Sequence, residues 1–285
     1  MIRSTKGSMF LVLMITLCYS AIGQTKDLTD DQYFKGNFKG ITNNLPFVSK
    51  WIDDSHLILK RDGKNYVIDA KAGTERDATD AETKSDEKDK SSAYMKSGDV
   101  YAKVNGVEMQ LTNDTAKKFN PTISPDGNYV AYTKNNDLYT IDLRSKKETR
   151  ITNDGSEVIL NGYASWVYTE EILGRRSTYR SFWWSPDSKH IAFFRTDDSP
   201  VPVYTITDGT GQHGYVEKER YPKVGDPNPQ VKIGIVGPEG GNIVWADFNA
   251  KDDQYFGAPY WNNDGSSLWV QWMNRLQDNL ILWAV

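Results

Sequence analysis

Residues 123–143 read ISPDGNYVAYTKNNDLYTIDL, and two features of this stretch decide the fold class. The first is the turn S-P-D-G, in which Pro125 presets φ for the second position and Gly127 relieves strain at the end. The second is the strand pattern after the turn: residues 128–133, and then the run from Asp137, read as short strands rich in branched and aromatic side chains. The unit recurs. WIDDSHLIL begins at Trp51, WSPDSKHIAFF at Trp184 and WNNDGSSLWVQW at Trp261. Each has an apolar or aromatic residue, a polar turn centred on aspartate, and a strand.

LTND at 111 and ITND at 151 stand 40 residues apart, with one strand-turn-strand set between them. A period near 40 containing about four short strands is the mark of a β-propeller blade. Later spacings of the turn, 61 and 77 residues, call for long loops between repeats. A β-sandwich would also carry hairpins, but the same turn at the same place in each unit favours the propeller. The expectation is an all-β chain forming a partial β-propeller of about four blades. The final run NLILWAV reads as a strand. ERDATDAETKSDEKDKSS, from Glu75, mixes both charges without a large apolar residue and reads as a solvated loop. The stretch from Thr205 to Gln230, rich in Gly and Pro, reads as a long excursion.

Composition agrees with β-structure: among 285 residues there are 9 Trp, 16 Tyr and 10 Phe. At the N-terminus, Arg3 and Lys6 precede MFLVLMITLCYSAIG, an apolar run too short to span a bilayer comfortably, with small residues before Gln24. This pattern predicts a signal peptide over 1–23, cleaved near Gly23, and an exported protein, periplasmic or secreted; a retained N-terminal anchor is the alternative. Cleavage there removes the single cysteine, so stability has to come from packing. It also leaves 32 basic residues against 38 acidic ones, a net charge of −6. Such a chain is no general nucleic-acid binder.

Several chemistries can be tested on the residues. Gly209, Gly211 and Gly214 satisfy G-x-G-x-x-G, but YVEKERYPKVG comes next, too short and Pro-broken for the helix that a dinucleotide site needs. A hairpin tip fits better. The three histidines are isolated and no paired-cysteine or H-x-x-x-H spacing exists, so no metal or cofactor is expected. No G-x-S-x-G occurs, and no βαβ alternation, so no catalytic residue is expected within these 285 residues.

One pair remains. Glu170 and Glu171 stand side by side in ASWVYTEEILGRRSTYRSFWWSPDS, residues 164–188. Two carboxylates can satisfy most of the donors and the charge of an ammonium group, although an isolated Glu-Glu is usually just solvated.

The surroundings sharpen the reading. SWVYTEEIL resembles the D-W-V-Y-E-E-E segment of the dipeptidyl peptidase IV family, exopeptidases of the prolyl oligopeptidase clan. FWWSPDSKHIAFFRTDDSPVPVY resembles the family's W-W-S-P strand and following V-P turn. YPKVGDPNPQVKIGIV resembles its Y-P-K-x-G-x-x-N-P-x-V run. The three stand in family order over roughly 110–285. The resemblance implies an eight-bladed N-terminal propeller, here residues 24–285 and incomplete, over a C-terminal α/β-hydrolase domain that supplies Ser, Asp and His and is absent from this sequence. It implies peptide substrates with a free N-terminus, whose amine is held by two glutamates on a short helical insertion. By motif match these are Glu170 and Glu171, with Trp166 and Tyr168 shaping the insertion. Ser165 and Thr169 depart from the family pattern, outside the amine-holding pair. The family's carbonyl-contacting arginine has no secure counterpart; the charged stretch from Glu75 offers Arg76.

The resulting expectation is the recognition segment of an exported serine exopeptidase that releases N-terminal dipeptides with Pro or Ala in second place. The alternatives are a non-catalytic propeller that binds peptides or envelope partners, or a decayed remnant, and a prolyl tripeptidyl peptidase, whose rearranged amine site fits the intact Glu pair less well.

Overall fold

The computed structural model describes residues 27–37, 45–83 and 91–285, so the expected signal peptide lies outside the described residues. The chain divides into two units, residues 1–86 and 87–285.

In the first unit a short helix, Asp30–Lys35, starts at a capping box between Thr29 and Gln32. Four antiparallel strands follow in sequence order: β1 (Phe47–Trp51), β2 (His56–Arg61), β3 (Lys64–Asp69) and β4 (Thr74–Asp77). The Asp53 carboxylate makes the first turn by accepting the Ser55 and His56 N–H groups, each at 2.8 Å. The stretch from Glu75 is therefore not simply a loop. Glu75, Arg76 and Asp77 belong to β4, and a helical turn follows over Asp80–Thr83. Two ionic contacts explain it: Arg61 reaches Glu75 at 2.6 Å, and Arg76 is bidentate to Glu82 at 2.6 and 3.0 Å. Thr79 and Glu82 close a T-x-x-E capping box around the turn.

The second unit is a succession of antiparallel meanders. β5 (Ser92–Lys96), β6 (Asp99–Val104) and β7 (Val107–Gln110) form one, and β8 (Lys118–Ile123), β9 (Tyr129–Lys134), β10 (Asp137–Asp142) and β11 (Glu148–Arg150) the next. The third contains β12 (Ile159–Asn161), β13 (Phe182–Trp184), β14 (Ile191–Asp197), β17 (Gln230–Val236) and β18 (Val244–Trp245). Between β14 and β17 the chain leaves as a separate hairpin, β15 (Val203–Asp208) and β16 (Tyr215–Arg220). The last comprises β19 (Gln254–Phe256), β20 (Tyr260–Trp261), β21 (Leu268–Asn274) and β22 (Leu280–Ala284). The four quoted aspartate turns thus fall in four different sheets. The β5–β7 sheet is a fifth that they did not mark. Gly209, Gly211 and Gly214 sit at the tip of the β15–β16 hairpin, with no helix after them.

Recurring sequence has recurring structural work. In S-P-D-G, Ser124 Oγ donates to Asp126 at 2.6 Å and accepts the Tyr129 N–H at 2.9 Å; Ser185 repeats this with Asp187 and His190 at 2.6 and 2.9 Å. The threonines of the two T-N-D repeats also match. Thr112 Oγ1 donates to Asp99 at 2.8 Å and accepts the Val100 N–H at 2.9 Å; Thr152 does the same with Asp137 and Leu138 at 2.7 and 3.0 Å. Each satisfies a buried N–H, and Thr152 also a buried carboxylate, that would otherwise be costly to desolvate.

The repeated tryptophans tie neighbouring sheets together. Trp184 Nε1–H donates to the Thr122 carbonyl at 3.1 Å, and Trp261 Nε1–H to the Trp183 carbonyl at 3.2 Å. Between the sheets lie three apolar clusters. Val100, Ala102, Val130, Tyr132 and Ile141 fill the first, and Leu138, Phe182, Ile191 and Phe193 are prominent in the second. Phe194, Ile233, Phe256, Leu268 and Val270 belong to the third, with Tyr168 among them. Lys118, whose side chain is fully buried, is neutralised by Asp114 at 2.7 Å and Asp99 at 3.3 Å. Blade-like meanders packed face to face through apolar layers are the unit of a β-propeller.

Candidate functional site

The first strand of the third sheet is broken in two. β12 and β13 both pair with β14, Asn161 opposite Arg195 and Phe182 opposite Phe193, and residues 162–181 leave the sheet between them. The backbone closes the opening. Phe194 accepts the Gly162 N–H at 2.9 Å and donates to the Ser181 carbonyl at 2.9 Å, while Ser181 donates to the Gly162 carbonyl at 3.0 Å. Gly162 has φ +70°, and a Cβ there would meet Leu138, Phe182 and Thr133 atoms at 3.2–3.3 Å. The neck therefore needs glycine for both conformation and space.

Beyond the neck the insertion is stiffened by pairing. Tyr163 bridges Arg180, the Ala164 N–H donates to the Tyr179 carbonyl at 2.7 Å, and the Tyr163 and Tyr179 rings stack at 5.1 Å and 6°. Burial pushes the Tyr163 hydroxyl up to about 12. A helical turn then runs from Trp166, widening to π geometry over Tyr168–Ile172; the Leu173 N–H reaches the Tyr168 carbonyl at 2.7 Å. Such wide turns recur at functional sites.

The turn is fixed from below. Tyr168 is 1% exposed, meets Phe194 edge-on at 5.8 Å, and its oxygen accepts the Phe256 N–H at 3.3 Å, so one side chain joins the third and last sheets. Burial raises its hydroxyl pKa far above the ordinary tyrosine value. Val167, Ile172 and Leu173 pack on the same cluster. Trp166 lies 4.4 Å from the Tyr221 ring, tying the start of the turn to the segment after β16.

Glu170 and Glu171 ride on this anchored turn in different states. Glu171 is exposed. The Glu170 side chain keeps 16% of its exposure and is ion-paired with Arg175 Nε, whose own side chain is 84% exposed. Arg175 opens a 3₁₀ turn, Arg175–Ser177, after the bend at Gly174. A carboxylate that accepts one exposed surface cation is chemically able to accept another. Of the four expected site residues, the structure gathers all on one turn: Tyr168 beneath, Trp166 at its start, the glutamates above. Arg175 is not legible in the sequence as Glu170's partner, because it stands five positions on, beyond the break in the helical turn at Gly174, φ +78°. Arg76, in the first unit, has its guanidinium committed to Glu82. Among the described residues no three His, Cys, Asp or Glu side chains come together as a metal site.

Comparison with known proteins adds an independent line. The family model described as "Dipeptidyl peptidase IV (DPP IV) N-terminal region" matches residues 76–285. The protein called "Probable dipeptidyl-aminopeptidase B" of Pyrenophora tritici-repentis is 30% identical over 240 residues, 76% of this chain and 27% of that one. Its namesake in Talaromyces marneffei is 34% identical over 170 residues, 54% of this chain and 18% of the other. The crystal structure of Porphyromonas gingivalis dipeptidyl peptidase 4 superposes with a TM-score of 0.57 at 20% identity, covering 92% of this chain and 40% of that chain. At that identity the likeness speaks to the fold. The chain spans about a quarter or less of the length of these curated relatives.

Proposed function

Because the chain belongs to the dipeptidyl peptidase IV N-terminal region family, we propose that it is the substrate-recognition propeller of a serine-type dipeptidyl peptidase, holding the free amine of a peptide between Glu170 and Glu171. The observation that carries this reading is the anchored turn: two consecutive carboxylates on a bulge whose neck is closed and whose base is pinned through Tyr168. A distance-measuring site needs that rigidity, because an amine can set the cleavage position only if its acceptors stay still.

The electrostatics are adequate. One ammonium–carboxylate pair at about 4 Å is worth ~4 kcal/mol at an effective dielectric near 20, before desolvation. The second acid adds hydrogen-bond acceptors for the remaining N–H groups. An acylated terminus has no charge and too few donors to match. In this proposal the nucleophile, its histidine and its aspartate belong to an α/β-hydrolase domain of the full-length protein, and that domain sets the preference for Pro or Ala in second place.

The test uses the full-length protein with a glycyl-prolyl chromogenic substrate, free and N-acetylated. The expected result is release from the free-amine form, with glycyl-proline as the peptide product, and turnover of the acetylated form lower by at least about 100-fold, a loss of ~3 kcal/mol. Equal cleavage of both forms would sink the reading. A second reading, tripeptidyl release, draws on the Arg175–Glu170 pair, which leaves Glu171 as the uncommitted acid; a tripeptide product from a longer substrate would select it.

Export belongs to the same proposal and rests on the sequence of residues 1–23. N-terminal sequencing of the mature protein is expected to begin at or near Gln24; a chain that retains Met1 would refute cleavage.

A further inference from the structure

A second ligand site is built beside the turn, and its argument does not depend on the reading of Glu170 and Glu171. A cavity of about 530 Å³ is bounded by the start of the insertion, Tyr163–Trp166, by Tyr179, and by the base of the β15–β16 hairpin. Two side chains lining it are more than nine-tenths buried and have an oxygen without a hydrogen-bond partner. They are Asp198, 5% exposed, through Oδ1, and Ser165, 3% exposed, through Oγ. Native interiors seldom leave such acceptors unmatched, and an unmatched carboxylate is the most expensive kind.

The nearby cation does not resolve it. Arg220 Nη1 donates to the backbone carbonyls of Val201 at 2.7 Å and Asp198 at 3.3 Å. Its charge lies close, but those hydrogen bonds go to the main chain. Glu219, half-buried, adds a second acid to the lining. The remaining wall is aromatic: the stacked Tyr163 and Tyr179 rings, with Trp166 beside them. Buried acceptors below and π faces alongside form an environment suited to an organic cation with several N–H donors.

We propose that this cavity binds an alkyl cation, a guanidinium or primary ammonium, with Asp198 as its counter-charge, Ser165 Oγ as a second acceptor, and the Tyr163–Tyr179 stack and Trp166 as its walls. Ser165 is tied to the turn that carries the glutamates, since its carbonyl accepts the Thr169 N–H at 3.0 Å. Burial pushes the Asp198 carboxyl up to about 7, with Glu219 and Asp197 adding to the rise and Arg220 opposing it. Glu157 and Lys218 also line the cavity. Because the cation requires the ionised acid, binding tightens as pH rises through neutrality.

Calorimetric titration of the protein with acetyl-arginine amide, which has no free α-amine, and with agmatine tests the proposal. Expected is one-to-one binding at pH 8, about tenfold weaker at pH 6 as a group titrating near 7 loses its charge. Asp198→Asn is expected to weaken it at least about tenfold at pH 8, and the Glu170→Gln, Glu171→Gln pair to leave it unchanged. Asp198 is buried, so Glu219→Gln is the companion variant, expected to weaken binding several-fold with an unaltered thermal melt. Capture of acetyl-arginine amide alone identifies a peptide side chain as the occupant, and of agmatine alone, with equal affinity in the Glu170→Gln, Glu171→Gln variant, a free polyamine; either supports the site. Agmatine binding that this variant abolishes places the probe on the glutamates and overturns the proposal. No binding of either probe at pH 8, or equal affinity in the wild type and a folded Asp198→Asn, overturns it and leaves water to satisfy the two oxygens.

Discussion

Replacing Glu170 and Glu171 together by glutamine in the full-length protein is expected to lower kcat/KM for a free-amine glycyl-prolyl substrate by roughly 10²- to 10⁴-fold. Each change keeps the side chain's size and one acceptor oxygen and removes a charge. Hydrogen bonds to charged groups are worth about 1.5–3 kcal/mol each, so losing two amounts to ~3–6 kcal/mol, and ~1.4 kcal/mol is a factor of ten in rate. The fold should not notice. Glu171 is exposed, and Glu170 is joined to a surface arginine, a kind of pair that contributes ~1 kcal/mol or less. Two controls separate recognition from damage: an unchanged thermal melt, and undiminished labelling by an amine-free, serine-directed phosphonate. Unaltered turnover in the double variant would remove the glutamates from the mechanism.

Tyr168→Ala is expected to be the most destabilising single change in the turn, by roughly 3–5 kcal/mol, the usual range for truncating a large buried aromatic. The side chain is 1% exposed within a cluster shared by the third and last sheets. Its loss opens a cavity and orphans the Phe256 N–H. Tyr168→Phe isolates the second effect: packing stays, and the unmatched N–H costs about 1–3 kcal/mol. Urea denaturation followed by circular dichroism measures both. A loss under about 1 kcal/mol for the alanine variant would mean that Tyr168 does not pin the turn.

The blades were legible because their turns are local chemistry. In S-P-D-G and S-P-D-S, the serine bonds to the aspartate two positions on, so the pattern survives in a string of letters. The β5–β7 sheet escaped because its signal is a different one. Its turns are Ser97-Gly98 and Asn105-Gly106, with φ of +53°, +88°, +50° and +80°, the two-residue hairpin type marked by Asn-Gly and related pairs. Asp62-Gly63 between β2 and β3 belongs to the same class. In the stretch from Glu75, the T-x-x-E box at Thr79 is a helix start set inside a run whose mixed charge reads as loop. Glu170, Glu171, Trp166 and Tyr168 stand out by motif, and the structure sets all four on one turn. Arg175 and the Asp198–Ser165 cavity were not legible at all. Asp198 and Ser165 stand 33 positions apart and meet Tyr179 and the hairpin base only through the β12–β14–β17 pairing, which no short window contains.

The closed neck at Gly162 and Ser181 has a further consequence, for ancestry and engineering. Since the sheet's hydrogen bonds are completed across the opening, residues 163–180 form a cartridge: provided the Tyr168 anchor and its apolar neighbours are kept, they can be varied or lengthened without asking the sheet to re-register. Doubling such a loop costs only ~0.6 kcal/mol of closure entropy. If Glu170 and Glu171 hold a substrate amine as proposed, lineages descending from one scaffold could reset how far that terminus penetrates by varying this segment. A designer could graft it, with Tyr168 and its socket at Phe256, as a single transferable part.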